Sequence, residues 1–193
     1  MIMEKAILKT LIYADIFDYP LKINEIHKWL IGKTANLRQI EKALESLYKV
    51  SGIKYYGRYY FLPRRNQLIV KRLRREKQSQ LYFKKAKVLS QILKLIPWTK
   101  LVGISGGLAL NNASKKDDID LFIITAKNRL WISRLLAVGL LSLTGQMRKK
   151  TDRNRKIAGK LCLNIFLEED KLEQTNQDLF TAHEVLQMKP LWY

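Results

Sequence analysis

The stretch from Lys100 to Thr125, KLVGISGGLALNNASKKDDIDLFIIT, gathers residue types that can do phosphate chemistry. An apolar run, Leu101 to Ile104, leads into Ser105-Gly106-Gly107. A short helix is expected from Leu108, and Asp118-Ile119-Asp120 opens the strongly β-forming LFIIT. Glycines in such a turn let backbone N–H groups approach a phosphate closely, and a helix N-terminus behind them adds partial positive charge. Side chains alternate between faces of a strand, so Asp118 and Asp120 point the same way, about 6.6 Å apart along the chain. Carboxylates brought within ~4 Å of each other repel by roughly 1–4 kcal/mol, which a divalent cation between them relieves. Mg²⁺ or Mn²⁺ fits, because such an ion takes oxygen ligands, keeps several waters and bridges carboxylates to a nucleotide's phosphates.

The other reactive residue types read more plainly. Asp117 points away from Asp118 and is expected to cap the strand from solvent, and Lys115 and Lys116 read as loop surface. Cys162 lies between leucines in LCLNIFL and is expected to be a small core residue. As the only cysteine it excludes a disulfide framework and a cysteine-rich zinc module, which fits a reducing compartment and a cytoplasmic location. His27 has no second ligand at metal spacing, and His183 in TAHEVLQM lacks the second histidine of a zinc protease, so both are read as packing or capping residues.

Charge narrows the partners. The chain of 193 residues carries 36 Lys+Arg against 17 Asp+Glu, a net charge of +19. Residues 51–100 alone hold 14 basic residues and 1 acidic one. Such a block suggests RNA, DNA or another phosphate-rich partner, with a merely solvated surface as the plain alternative. The N-terminus MIMEKAILKT lacks a signal peptide's apolar core. The run LWISRLLAVGLLSL, Leu130 to Leu143, is shorter than the about 20 residues of a membrane span and is interrupted by Arg134, so a buried helix and no membrane association are expected. The apolar last residues, KPLWY, suggest that the natural chain continues.

Apolar spacing predicts helices over 4–15, over 23–30 and from Asn36 onward. Two aromatic-rich runs, GIKYY and YYFL, follow around Gly57-Arg58 and close at Pro63. This order, three helices and then a hairpin, resembles a winged helix-turn-helix over residues 1–65. The resemblance implies a third helix in a nucleic-acid groove with the hairpin tip on the backbone, through Arg38, Lys42, Lys54 and Arg58. Glu41 and Glu45 on the same helix would repel phosphates, so a docking role stands beside nucleic-acid contact. Residues 66–97 read as a long basic helical connector, with a break near Ser79.

Over about residues 98–168 the chain resembles the DNA polymerase beta-like nucleotidyltransferase superfamily, whose signature is a Gly-[Gly or Ser] turn followed by an Asp-x-Asp strand. Gly106 and Asp118 are twelve positions apart, matching that signature. The expected architecture is therefore α+β, a winged helix-turn-helix-like domain followed by a mixed-sheet α/β nucleotidyltransferase core at 98–193. The resemblance implies Mg²⁺-dependent transfer of a nucleoside monophosphate from an NTP to a hydroxyl. In it Ser105, Gly106 and Gly107 line the triphosphate, and Asp118 and Asp120 hold metal and carry catalysis. Two departures stand out: Leu110 occupies a position that often holds Arg, and the strand expected to supply a third carboxylate reads Lys160 to Leu167 with no Asp. Asn164 or Glu168 is the replacement there. The missing acid keeps open a non-catalytic, nucleotide-sensing regulator that uses the winged helix on nucleic acid.

Overall fold

Apolar residues at helical spacing begin the chain, and in a computed structural model describing residues 2–149, 151–152, 154–173 and 178–193 they form α1, Ile2–Ile16. This helix buries Ala6, Ile7, Thr10, Leu11 and Ala14 along one stripe. The chain divides into two compact units, residues 1–74 and 75–193. The division falls inside one continuous helix, α4, Gln67–Leu89. No break occurs at Ser79, which is fully buried, its hydroxyl accepting from the Ala113 N–H at 3.0 Å.

In the N-terminal unit, α2 spans Ile23–Lys28 and α3 spans Leu37–Lys49. Asn36 caps α3 reciprocally with Gln39: the Gln39 N–H donates to Asn36 Oδ1 at 2.9 Å, and the Asn36 N–H to Gln39 Oε1 at 3.0 Å. Gly57, at φ 63°, turns β1, Lys54–Tyr56, antiparallel onto β2, Tyr59–Phe61. Leu21 pairs with the outer side of Tyr60. Charge is partly resolved internally. Arg65 pairs with Asp15 and Asp18, and Lys71 with Asp18, so acids of the first turn region absorb part of the basic block.

Arg72 departs furthest from a solvated basic run, being 1% exposed. Its guanidinium stacks 3.6 Å from the Tyr19 ring centroid and donates to Glu25 Oε1 at 2.8 Å. Glu25 also accepts the Tyr19 hydroxyl at 2.9 Å and the Lys22 N–H at 2.8 Å, so one carboxylate caps α2 and fixes both partners. Removing one member of a buried pair leaves the other charge uncompensated.

The C-terminal unit adds β3, Thr99–Ile104; α5, Gly106–Ala109; β4, Ile119–Thr125; α6, Leu130–Leu143; β5, Leu161–Glu168; α7, Leu179–Gln187; and β6, Lys189–Trp192. Its sheet has the order β5-β4-β3-β6, with β4 parallel to β5 and the other pairs antiparallel. The mixed sheet makes the chain α+β, as expected. Ile119, Leu121 and Ile123 on one face of β4 are at most 1% exposed and pack with Ile104, Leu108, Ala137 and Leu163.

Helix α6 is not buried as its apolar sequence suggests. It turns Ser133, Ala137 and Leu141, spaced four apart, toward the core. Trp131, Leu135 and Leu143 stay exposed, because they lie on the faces of the helix turned away from that stripe. Among the described residues, no helix is long and apolar enough to cross a membrane.

We expect Arg72→Met to lower the unfolding free energy by about 2–4 kcal/mol in urea titration, with Arg72→Lys recovering less than half because lysine cannot both stack and pair. A loss below about 0.5 kcal/mol would show that the stacked pair does not hold this unit.

Candidate acidic site at the sheet end

One end of the sheet gathers the end of β3 and the starts of β4 and β5. The Ser105 N–H donates to the Asp120 carbonyl at 3.0 Å, tying the glycine turn to the aspartate strand. Gly106 follows with φ 62°, and a Cβ there would lie 2.9 Å from Asp120 Oδ2. Glycine alone permits this approach of backbone to carboxylate. At Gly107 a Cβ would make only ordinary contact with Asn112, so that glycine is not sterically required.

The expected common face of Asp118 and Asp120 is present, and a third donor joins them. Cys162 is the parallel register partner of Asp120, and ligand atoms of Asp118, Asp120 and Cys162 all lie within 4.8 Å of one another. Arg148 Nη1 donates to Asp118 Oδ2 at 2.6 Å and sits 3.9 Å from Cys162 Sγ. That guanidinium is positioned by its own backbone, whose N–H donates to the Leu161 carbonyl at 2.8 Å. From α7, Glu184 comes near enough to the Gly106 N–H for that group to lower its pKa. Among the described residues the site thus holds three carboxylates and one guanidinium, in a chain of charge +19.

This excess of acid shows in proton affinities. Burial, then the Asp118 charge, pushes Asp120 up to about 6, with Glu184 adding to the rise; the Cys162 thiol, which hydrogen-bonds the carboxylate, and Arg148 oppose it. Burial followed by the two aspartate charges raises Cys162 to about 11, so the thiol is protonated at neutral pH and is no nucleophile. Burial also raises Glu184, against the pull of the Gly106 N–H.

Neither Asn164 nor Glu168 takes the expected third position in the way alternation suggests. Leu121 pairs with Leu163 but Phe122 pairs with Ile165, so Asn164 is an extra residue in β5 and is exposed. One extra residue exchanges the faces beyond it. Glu168 therefore pairs with Thr125 on the opposite face, about 20 Å of strand from Cys162. There it accepts the Leu130 N–H and pairs with Lys171.

The remaining candidates are spread out. Ser105 is fully buried and its hydroxyl has no partner among the described residues, so it does not face a solvent-borne phosphate. The expected helix behind the turn starts at Gly106 and has only four residues, too few for a substantial dipole. Asp117 is exposed and accepts from Ser114, as a loop cap. Lys115 and Lys116 are exposed. His27 is exposed on α2, and His183 Nδ1 lies 2.7 Å from the Leu179 carbonyl oxygen. Arg38, Lys42, Lys54 and Arg58 are exposed in the N-terminal unit. Sequence reading missed Cys162, Arg148 and Glu184. Only the first carried a signal, since parallel pairing of the DID and LCL segments would align it with Asp120.

Two carboxylates fit one Mg²⁺, an ion bound by one or two protein acids with phosphates and waters completing its shell. The thiol is not a ligand for so hard an ion. No protein-family model, curated protein or solved structure matches the chain.

A carboxyl group with raised affinity for protons destabilises the fold once ionised. The penalty is absent below about pH 4, grows through about pH 6 and is complete above it, at roughly 3 kcal/mol. Asp120→Asn is expected to match the wild type in unfolding free energy at pH 4 and exceed it by about 2–3 kcal/mol at pH 8. An equal difference at both pH values would show that Asp120 is not held in this acidic, poorly hydrated place.

Proposed function

We propose that residues 98–193 form a nucleotidyltransferase-type domain that binds an NTP with a divalent cation and transfers its nucleoside monophosphate to a hydroxyl acceptor. The observation that carries this reading is the approach of the Gly106 backbone to Asp120, beside Asp118, at one sheet end. Asp118 and Asp120 would hold the ion, Mg²⁺ or Mn²⁺, which when bound neutralises charge developing on the phosphate oxygens. Gly106 and Gly107 would offer their N–H groups to the triphosphate. Arg148 supplies a cation that can turn from Asp118 to a phosphate. The acceptor hydroxyl oxygen forms a bond to the α-phosphorus and gives up its proton to water, as the bond from the α-phosphorus to the bridging oxygen breaks and pyrophosphate leaves. The protein's part is positioning and charge compensation.

A second reading is favoured by a specific observation. The residue opposite Asp120 on β5 is a protonated cysteine, which is neither a hard-cation ligand nor a general base at neutral pH. A site without that acid suits a nucleotide sensor. In either case we assign the N-terminal unit to a winged-helix-like arrangement, on its order of three helices and a hairpin, with nucleic acid reached through Arg38, Lys42, Lys54 and Arg58.

Incubating the chain with each α-labelled NTP, Mg²⁺ and mixed RNA or protein acceptors tests the choice. Transfer is expected to release pyrophosphate and to fall more than 100-fold in Asp118→Asn, Asp120→Asn and Gly106→Ala. NTP binding without pyrophosphate release, coupled to release in Cys162→Asp, establishes the sensor; absence of NTP binding overturns both readings.

A further inference from the structure

Away from the acidic sheet end, the N-terminal unit holds a cavity of about 350 Å³ lined by Glu41, Leu44, Glu45, Tyr48, Tyr55 and Tyr60. Its walls follow from helix and hairpin periodicity. Glu41, Glu45 and Tyr48 fall at i, i+4 and i+7 on α3, one stripe of the helix, while Arg38, Lys42 and Lys49 occupy the neighbouring stripe. Leu44, 2% exposed, is the apolar floor. Tyr55 and Tyr60 are register partners on the hairpin, their ring centroids 4.7 Å apart at 38°. The Tyr55 hydroxyl donates to the Gly57 carbonyl, which fixes that ring. Both carboxylates face the Tyr60 side: burial, then the charges of Tyr55, Glu41 and Glu45, raise the pKa of Tyr60.

Three tyrosine rings and two carboxylates surround this space, and among the described residues no Lys or Arg lines it. The negative faces of aromatic rings attract cations, an effect strongest for alkylated ammonium groups that shed water easily. Carboxylates one helical turn apart, about 6 Å between their Cβ atoms, match two ammonium groups separated by a few methylenes. The volume lies at the lower end of small-molecule pockets, enough for a short aliphatic chain over Leu44. Phosphate is disfavoured here, because both acids would repel it.

We propose that this cavity is a binding site for an alkylammonium ligand, with a diamine or polyamine as its best match. The same chemistry is carried by a lysine side chain of a protein, and the test separates the two sources. Isothermal titration of the whole chain at low salt would use spermidine, Nε-trimethyl-lysine amide and, as an inorganic control, NaCl. Saturable binding of at least one organic cation and none of Na⁺ is expected, with the tighter of the two naming the source. Affinity should fall at least 10-fold in the Glu41→Gln/Glu45→Gln double variant and in Tyr48→Ala. These residues are exposed, so melting temperatures should hold, and the Asp118→Asn/Asp120→Asn variant should bind as the wild type does. The proposal is overturned if neither cation binds, if the cavity variants bind normally, or if the aspartate variant is the one that loses binding.

Discussion

The C-terminal unit is organised around a carboxylate held where it is poorly hydrated. Asp120 lies against the backbone of Gly106, closer than any side chain would allow, beside the second acid Asp118 and within reach of the field of Glu184. Arg148 answers only Asp118 in direct contact. Everything near this end of the sheet follows from that crowding. Gly106 takes a positive φ where a Cβ would crowd Asp120, and the residue opposite Asp120 on β5 is the neutral thiol of Cys162. A fold tolerates such an arrangement more readily when a cation completes it, and an otherwise strongly basic chain makes the local reversal of sign informative.

The same electrostatics account for where the basic excess goes. Part of it is consumed inside the N-terminal unit, where Arg65, Lys71 and Arg72 meet Asp15, Asp18 and Glu25. Arg72 has become a core residue, stacked on Tyr19, so a run that reads as one charged stripe contains a buried anchor. On α3 the surface divides into a basic stripe and a stripe of acid and tyrosine. A face of that kind offers phosphate one side only, and the adjoining cavity has the composition of a cation receptor.

The three N-terminal helices, the hairpin and the common face of the paired aspartates were legible because they rest on local periodicity, whereas the strand β6 and the continuity of α4 through Ser79 were not. Asn36 caps α3 where its spacing places it, and Gly57 turns the hairpin. Three further features were not legible. The extra residue at Asn164 has no local signature, and it moves Glu168 to the other face of the sheet. Arg148 and Glu184 reach the site from a loop and from α7, distances in sequence that no spacing rule connects. Helix α6 shows a different limit: its composition predicts burial, but only the stripe of Ser133, Ala137 and Leu141 faces the core, leaving Trp131 and Leu143 outside.

The central claim is that the glycine turn and the aspartate pair make one cradle for a metal-bound nucleotide. Paramagnetic broadening by Mn²⁺ in the presence of a non-hydrolysable NTP tests it most directly, read at the backbone amide resonances of an isotope-labelled chain. The amides of Gly106, Gly107 and Ile119 should broaden first in the wild type and remain sharp in Asp118→Asn/Asp120→Asn. Broadening that is absent, or that centres on another part of the chain and survives those substitutions, would contradict it.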